Sequence, residues 1–455
     1  AADLDILPRK RAVELVSRIL DTVEKLDKWH GHLYNWYDTA TLAPLRPRYV
    51  STVDSGNLRG CLIALREGLY QWGEAALARR AEVLSDAMDC APLFDRERRL
   101  FSIGYEAEQE KLTDGFYDLM ASEARQTSFI AVAKGEVPAR HWRRLGRMLL
   151  GDNDYCGMAS WTGTMFEYFM PNLLLPCEPN SFLYETLSFC VYAQKRRGDK
   201  TKKPWGISES GFYAFDPGMN YQYKAHGVQA LGLKRGLDTE LVVAPYASFL
   251  ALLLAPRSAL RNLRRLRDMG LEGRYGLYEA VDYTPARLTG QEEYEAVRSY
   301  MSHHLGMSLI AIDNVLRDSV MQKRFMKDCD LSAYRELLQE RVPVGAPIMK
   351  QEERDFPAKL RPNPGPALER EGEGFGQKYP RCHLLSNGSY SLLACDNGLT
   401  SARAGEDAVT LARPGEYCAP AGVSVFFNGP GGLVGLTPAP LYQKGAAYRW
   451  AFDAA

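Results

Sequence analysis

The chain has 455 residues, 46% of them hydrophobic and 25% charged, which is ordinary globular material with room for two or three domains. Lysine plus arginine and aspartate plus glutamate each number 56, so the formal charge is zero, and no long block of like charge occurs. That argues against nucleic acid or an anionic membrane surface as the main partner. The apolar runs are too short to insert into a bilayer, and residues 1–10 lack the layout of a signal peptide. Nine cysteines without a C-x-x-C pair read as reduced thiols in a cytosolic compartment, with neither zinc nor a disulfide framework.

Apolar positions at helical spacing (Val13, Val16, Ile19, Leu20, Val23, Leu26) predict an opening helix over about residues 9–29. A long segment rich in aromatic residues and proline follows, carrying Trp36, Tyr37, Asp38, Arg48 and Asp54. A structureless stretch of that length in a compact domain is usually functional. Ser55 or Asp54 is expected to cap the next helix, from Leu58 to about Trp72. Further helices are expected at roughly 73–89, 115–134, 138–149, 161–175, 180–196, 241–270, 291–315 and 331–340, with few convincing strands before residue 380. Helices of similar length joined by unequal loops fit a mainly α fold, an (α/α)6 toroid over residues 1–345. No fixed-period repeat supports a helical solenoid instead. The Pro-, Gly- and Glu-rich text of 346–378 reads as a linker. Over 379–455 the period changes to two, with hairpin signals at Asn387-Gly388 and Asn428-Gly429, so a partial antiparallel β-sandwich is expected. The chain opens and closes as if cut from something longer; residues 448–452 read as a strand stopped in mid-domain.

Five acids stand among aromatic rings. Glu209 lies between Gly206 and Gly211, beside Trp205, Phe212 and Tyr213, an arrangement that suits a sugar, whose C–H faces stack on rings while its hydroxyls need polar partners. Glu123 falls in register with Phe116, Met120, Thr127 and Ile130, which places it on the apolar stripe of its predicted helix. It is expected either to face a cleft or to pair with Arg46 or Arg48. Glu167 is wedged near Trp161, as a site acid or a hydrogen-bonded core acid, and Glu279 and Asp282 share an aromatic loop from which they would hold sugar hydroxyls or orient a catalytic pair. His303-His304 resembles a metal motif, but adjacent helical residues point about 100° apart and no H-x-x-x-H accompanies them, so neither a metal nor a cofactor is expected.

Several strings together resemble the glycoamylase-like region of bacterial cyclic β-1,2-glucan synthases. They are Tyr34-Asn-Trp-Tyr-Asp38, Arg48-Tyr-Val-Ser-Thr-Val-Asp-Ser-Gly-Asn57, Leu119-Met-Ala-Ser-Glu-Ala-Arg125, Ser160-Trp-Thr-Gly-Thr-Met-Phe-Glu-Tyr168, Pro204-Trp-Gly-Ile-Ser-Glu-Ser210 and Gln222-Tyr-Lys-Ala-His-Gly227. The resemblance implies retaining transglycosylation that closes linear β-1,2-glucan into rings, with Glu123 and Glu209 as the catalytic acids. It also implies a membrane-anchored parent on the cytoplasmic side of the bacterial inner membrane. In that parent the region lies between a glycosyltransferase and a phosphorylase-like region whose β-sandwich the tail resembles.

Three functions follow as expectations. The first is the transglycosylase, with Glu123 as nucleophile and Glu209 as general acid/base, a split implied by the resemblance; a buried Glu123 would serve as an acid as readily. The second is an endo-β-1,2-glucan hydrolase. The third is a non-catalytic glucan-binding module using Trp36, Trp161, Trp205, Tyr213 and Tyr223. In each, the segment with Trp36, Asp38, Arg48 and Asp54 is expected over the mouth of the site, Asp54 and Arg48 binding sugar hydroxyls or orienting the acids; the alternative is a helix cap at Asp54 and a surface ion pair at Arg48.

Overall fold

The computed structural model describes residues 1–215, 220–237, 239–288, 293–341, 348, 370–374, 380–405, 407–410, 425–443 and 447–452. Two compact units divide the chain, Ala1–Lys359 and Leu360–Ala455. Most of the expected linker, 346–378, lies outside the described residues.

In the first unit the helices run α1 (Arg9–Lys25), α2 (Thr52–Gln71), α3 (Ala75–Asp86), α4 (Arg125–Ala133), α5 (Arg140–Arg144) and α6 (Met165–Phe169). They continue with α7 (Phe182–Thr201), α8 (Pro245–Leu250), α9 (Pro256–Leu266), α10 (Ser302–Leu316), α11 (Val320–Phe325) and α12 (Cys329–Ala333). One main core joins α4 to α10 through Phe129, Ile130, Trp142, Phe169, Phe189 and Tyr246.

The expected helices are corrected in several places. Residues 115–134 hold a strand at Phe116–Tyr117 and only then α4, so the stripe containing Glu123 is not helical at Glu123. The 241–270 segment breaks into α8 and α9, each with a proline in its first turn, where the missing N–H and fixed φ begin a helix and interrupt the one before. A strand at Glu295–Val297 replaces the front of the 291–315 helix. Strands are not scarce either: among the described residues seventeen precede residue 342, and those of two or three residues are too short to show alternation in the sequence.

Helix α2 begins earlier than expected, because the strand Tyr49–Ser51 runs straight into it. Its cap is neither Asp54 nor Ser55 but Ser51, whose hydroxyl accepts from Asp54 N–H at 3.2 Å. The first turns of α2 and α4 are bonded together: Thr127 Oγ1 donates to Thr52 O at 3.1 Å and Gln126 Nε2 to Gly56 O at 3.2 Å. A Cβ on Gly56 would lie 1.9 Å from Thr127 Oγ1, so only glycine allows this approach. At the other end of both helices Asp328 accepts from Arg66 of α2 at 3.1 Å and from Lys134, which ends α4, at 2.9 Å. The same carboxylate caps α12 through the amides of Asp330 and Leu331.

In the second unit Cys382–Ser386, Tyr390–Cys395, Thr400–Ala404 and Asp407–Ala408 form one antiparallel sheet, and Arg370–Glu373 pairs with Arg449–Phe452. A strand thus occupies part of the expected linker. The chain reverses at Asn387-Gly388 as expected, with Asn387 Oδ1 accepting from Ser389 and Tyr390 N–H. The second hairpin is corrected: Asn428-Gly429 lies inside the strand Phe426–Gly429, and the turn is two residues later, at Pro430-Gly431.

Asp328→Ala is expected to destabilise the protein by about 1–3 kcal/mol in urea titrations at pH 7, because Arg66 and Lys134 lose the buried carboxylate they share and keep only Glu67, Glu82 and Asp330, while α12 loses its cap. Burial alone would raise the Asp328 carboxyl, but Lys134, the Leu331 amide and Arg66 outweigh it and hold it below the usual range. Its contribution is therefore present above the ordinary carboxylate pKa and is lost as the pH falls through the depressed value. A variant as stable as the parent would show that the three helices do not depend on this clamp.

Candidate active site

Glu209 is carried by a loop whose backbone is held on every side. Gly206 takes a φ of +122°, and its carbonyl accepts from Ala244 N–H at 2.9 Å. Gln194 of α7 brackets the next residue, Oε1 accepting from Ile207 N–H at 2.8 Å and Nε2 donating to Ile207 O at 2.7 Å. Ser208 Oγ accepts from Phe166 N–H at 3.0 Å and lies 2.8 Å from the Tyr246 hydroxyl, which in turn donates to Glu209 O at 2.8 Å. The chain then enters the strand Ser210–Phe215.

The two acids of the aromatic loop secure that strand. Glu279 Oε1 accepts from Gly211 N–H at 3.1 Å, and Asp282 Oδ2 from Tyr213 N–H at 3.2 Å. Asp282 is fully buried and also bound by Arg287, Nε at 2.6 Å. Both acids thus hold amides of the strand that follows Glu209. A Cβ on Gly211 would press on Glu279 Cγ and Val297 Cγ1 at 3.3 Å, so a side chain there would crowd the Glu279 carboxylate.

Glu123 sits in the turn immediately before α4, with its side chain part-buried. The ion pair expected with Arg46 or Arg48 is absent among the described residues: Arg48 bonds Glu108 at 3.0 Å on the surface. Neighbouring Arg125 turns inward to Met120 O and Tyr168 O. Burial first, then the charges of Glu209, Glu167 and Asp54, pushes the Glu123 carboxyl well above its usual range. Glu209 is raised by burial too, but the hydroxyl of Tyr223 bonds its carboxylate and opposes the rise, while Glu167 and Asp54 add to it. The charges of Glu167 and Asp54 thus reach both Glu123 and Glu209, and that of Glu209 reaches Glu123.

The remaining candidates divide. Asp54, in the first turn of α2, is exposed and close enough to raise both Glu123 and Glu209. Glu167 is engaged internally, accepting from Ser160 Oγ at 2.7 Å and from the amides of Thr162 and Thr164 in a capping box on α6. Trp161, beside it, is 58% exposed, and Trp36 is 55% exposed; both rings are open to a ligand. Trp205 is corrected: it is 8% exposed, packed in the main core and bonded through its backbone to Asn262, so it offers no stacking face. Asp38 folds back on its own loop, accepting from Ala40 N–H, Thr41 N–H and the Thr41 hydroxyl.

Sequence reasoning missed three site neighbours. Tyr117 lies near Glu123, and its hydroxyl proton is held more tightly by burial and by that charge. Tyr246 is hidden in an apolar run. His304 was weighed only as a metal ligand; instead its Nδ1 is 2.9 Å from Glu279 Oε2, its Nε2 is 3.2 Å from the Tyr223 hydroxyl, and its ring stacks on Tyr246 at 3.6 Å.

Residues 115–329 match the family model described as "Glycoamylase: Putative glucoamylase". The chain is 31% identical to the cyclic β-(1,2)-glucan synthase NdvB of Rhizobium meliloti (strain 1021), an alignment covering 89% of this chain and 19% of that protein. The chain therefore spans about a fifth of the length of this relative. Among solved structures, an endo-β-1,2-glucanase from Chitinophaga pinensis superposes with a TM-score of 0.61 at 17% identity, over 74% of this chain and 84% of that one. An endo-β-1,2-glucanase from Talaromyces funiculosus superposes with a TM-score of 0.57 at 13% identity, over 77% of this chain and 79% of that one. The fold is thus glucoamylase-like, and the resemblance to the glycoamylase-like region of the synthases stands.

A carboxyl held above its ordinary pKa binds its proton more tightly folded than unfolded. Stability is consequently lost as the pH rises from about 4.3 through the elevated value, and the loss persists above it. Glu123→Gln removes the charge and is expected to raise Tm at pH 7 by a few degrees, about 2–4 °C for each kcal/mol relieved. By pH 4 the gain should vanish. A fall in Tm at pH 7 would contradict the assigned electrostatics.

Proposed function

We propose that the chain is a retaining transglycosylase that closes linear β-1,2-glucan into rings, with Glu123 as nucleophile and Glu209 as general acid/base. The observation that carries this reading is the pair of proton-hungry carboxylates, Glu123 and Glu209, in one site with Asp54 and Glu167. The substrate comes from the relative named a cyclic β-(1,2)-glucan synthase. In this reading the helices of the first unit ring the acids as an (α/α)6 toroid, and Trp36, Trp161, Tyr213 and Asp54 line the sugar path.

The division of roles follows the resemblance. Burial and three like charges favour the protonated form of Glu123, so its role as nucleophile requires it to give up its proton before the sugar is attacked, with Glu209 holding one. Glu209 then protonates the departing glycosidic oxygen while Glu123 forms the glycosyl ester. A hydroxyl from the far end of the same chain, deprotonated by Glu209, displaces Glu123 and closes the ring.

Hydrolysis is the second reading, supported by the two similar structures named endo-β-1,2-glucanases. It differs only in that water reaches the ester. In either case the chain would work within a membrane-anchored parent on the cytoplasmic side, beside glycosyltransferase and phosphorylase-like regions. No helix among the described residues is long and apolar enough to cross a membrane.

Incubation with linear β-1,2-glucan and no nucleotide sugar is expected to give rings that resist exoglycosidases. Glu123→Gln and Glu209→Gln should each lower turnover by at least a hundredfold. Short linear products without rings would establish the hydrolase, and binding without turnover would establish a non-catalytic module. Near-normal activity in either variant would overturn the assigned pair.

A further inference from the structure

Two thiols face each other in the second unit. Cys382 opens the strand Cys382–Ser386 and Cys395 closes the strand Tyr390–Cys395; the strands run antiparallel, and the two cysteines stand directly opposite one another. Their sulfurs are 3.3 Å apart, close enough for one S–H to donate to the other. They are 13 positions apart in the chain, a spacing that carries no cysteine motif, so the pairing is made by strand register. Buried Cys90 and Cys190 are engaged differently, with the Arg59 guanidinium and the Met165 thioether.

The backbone explains the approach. An antiparallel ladder alternates between opposed residues that exchange both backbone bonds and opposed residues that exchange neither, and in the second kind the Cα atoms close to about 4.5 Å. Cys382 and Cys395 are of the second kind. Asp396 N–H donates to Arg381 O at 2.9 Å, one residue outside the pair, while Cys395 N–H points the other way, to Leu399 O at 2.9 Å. A disulfide requires Cα atoms about 4.4–6.8 Å apart with the Cβ atoms turned toward each other, and opposed residues of this kind meet that requirement without moving the strands. His383, the next residue, points to the other face of the sheet, where its ring stacks on Phe452 at 5.4 Å. The thiols lie on the face away from that ring, and both are half-buried, within reach of a small reagent. Their first strand, Cys382–Ser386, is the outer one of its four-stranded sheet and is paired on one side among the described residues.

We propose that Cys382 and Cys395 form a reversible covalent modification site, a cross-strand disulfide made by exchange with a low-molecular-weight disulfide, which fastens the outer strand to its neighbour. One protein thiolate attacks a sulfur of the incoming disulfide, forms a mixed disulfide and expels one small thiolate. The second protein thiolate then attacks the protein sulfur of that mixed disulfide and expels the other. The protein gives up two electrons and two protons, the small disulfide takes them up as two thiols, and the bond gained in the protein is Sγ–Sγ. Burial, and then the sulfur of Cys382 beside it, pushes the Cys395 thiol up to about 12, which makes it the second of the two to react. Closing the bond ties a loop that the unfolded chain would leave open, so the strand pair is harder to separate in the oxidised form. The site belongs to the second unit and does not depend on the reading of the acids in the first.

The test is thiol mapping of the full chain after equilibration in mixtures of reduced and oxidised glutathione. Remaining thiols are alkylated and the peptides identified by mass spectrometry. Toward the oxidised end the peptides carrying Cys382 and Cys395 should appear joined, lighter by two hydrogens than their sum, and dithiothreitol should separate them again. Backbone amides of Cys382–Ser386 should then exchange with deuterated water at least about tenfold more slowly in the oxidised protein than in the reduced one. In Cys382→Ser that difference should vanish, with Cys395 recovered as a thiol or a glutathione adduct. The unsubstituted chain alone supplies both readouts if Cys382→Ser does not fold. Two thiols that persist at the oxidised end, or that stop at glutathione adducts, would overturn the site, as would a bond from either to any other cysteine. A Cys382–Cys395 bond that leaves exchange at Cys382–Ser386 unchanged would overturn the fastening of the strand.

Discussion

Four carboxylates that share a site repel one another, and the rest of the first unit is arranged so that they remain together. Each has its charge handled differently. Glu167 is surrounded by the Ser160 hydroxyl and two amides, Asp54 stands in water on α2, and Glu209 has the Tyr223 hydroxyl. Glu123 has no such donor among the described residues and carries the largest burden of burial and repulsion. Burial and like charge thus favour the protonated form of Glu123 and Glu209, the form that acid chemistry at a glycosidic bond needs.

Holding the acids against their repulsion is a matter of backbone. The turn with Glu123 and the turn with Asp54 start α4 and α2, which are joined at Gly56 and Thr127 near the acids and clamped at Asp328 at their far ends. The loop with Glu209 is gripped by Gln194, Ser208 and Tyr246 before the acid and by Glu279 and Asp282 after it. Two buried carboxylates thus serve to aim a third, and Arg287 offsets one of them. Sites built on backbone held this way keep their geometry when the side chains change protonation state.

What was legible in the sequence follows the range of the interactions. Gly206 and Glu209 were readable because an acid beside a conformationally free glycine, among rings, is a local pattern, and α1 and α7 were readable from apolar spacing over many turns. Glu279 and Asp282 stand out as two acids in an aromatic loop, but nothing local says that they bond the amides of Gly211 and Tyr213, 68 and 69 residues away. Glu123 was found for the wrong local reason: its spacing suggested a helix face, while the chain there is a turn before the helix. Trp205 had the composition of a sugar platform, but its burial is decided by packing on Gly198 of the preceding helix and by Asn262, 57 residues away. The setting of His304 leaves no local pattern, because its partners Glu279 and Tyr223 lie 25 and 81 residues away. The short strands were missed for the same reason, since pairs of two or three residues are set by tertiary contacts and leave no period to read.

Stereochemistry tests the central claim most directly, because the assignment of Glu123 and Glu209 as nucleophile and acid/base demands two inversions at the anomeric carbon. Linear β-1,2-glucan would be cleaved in water containing methanol, and the anomer of the first-formed methyl glycoside read by proton NMR before mutarotation or secondary reaction. Retention through a glycosyl ester on Glu123 predicts the β-methyl glycoside. An α-configured first product would mean a single displacement by water or alcohol, with no ester on Glu123, and would contradict the mechanism.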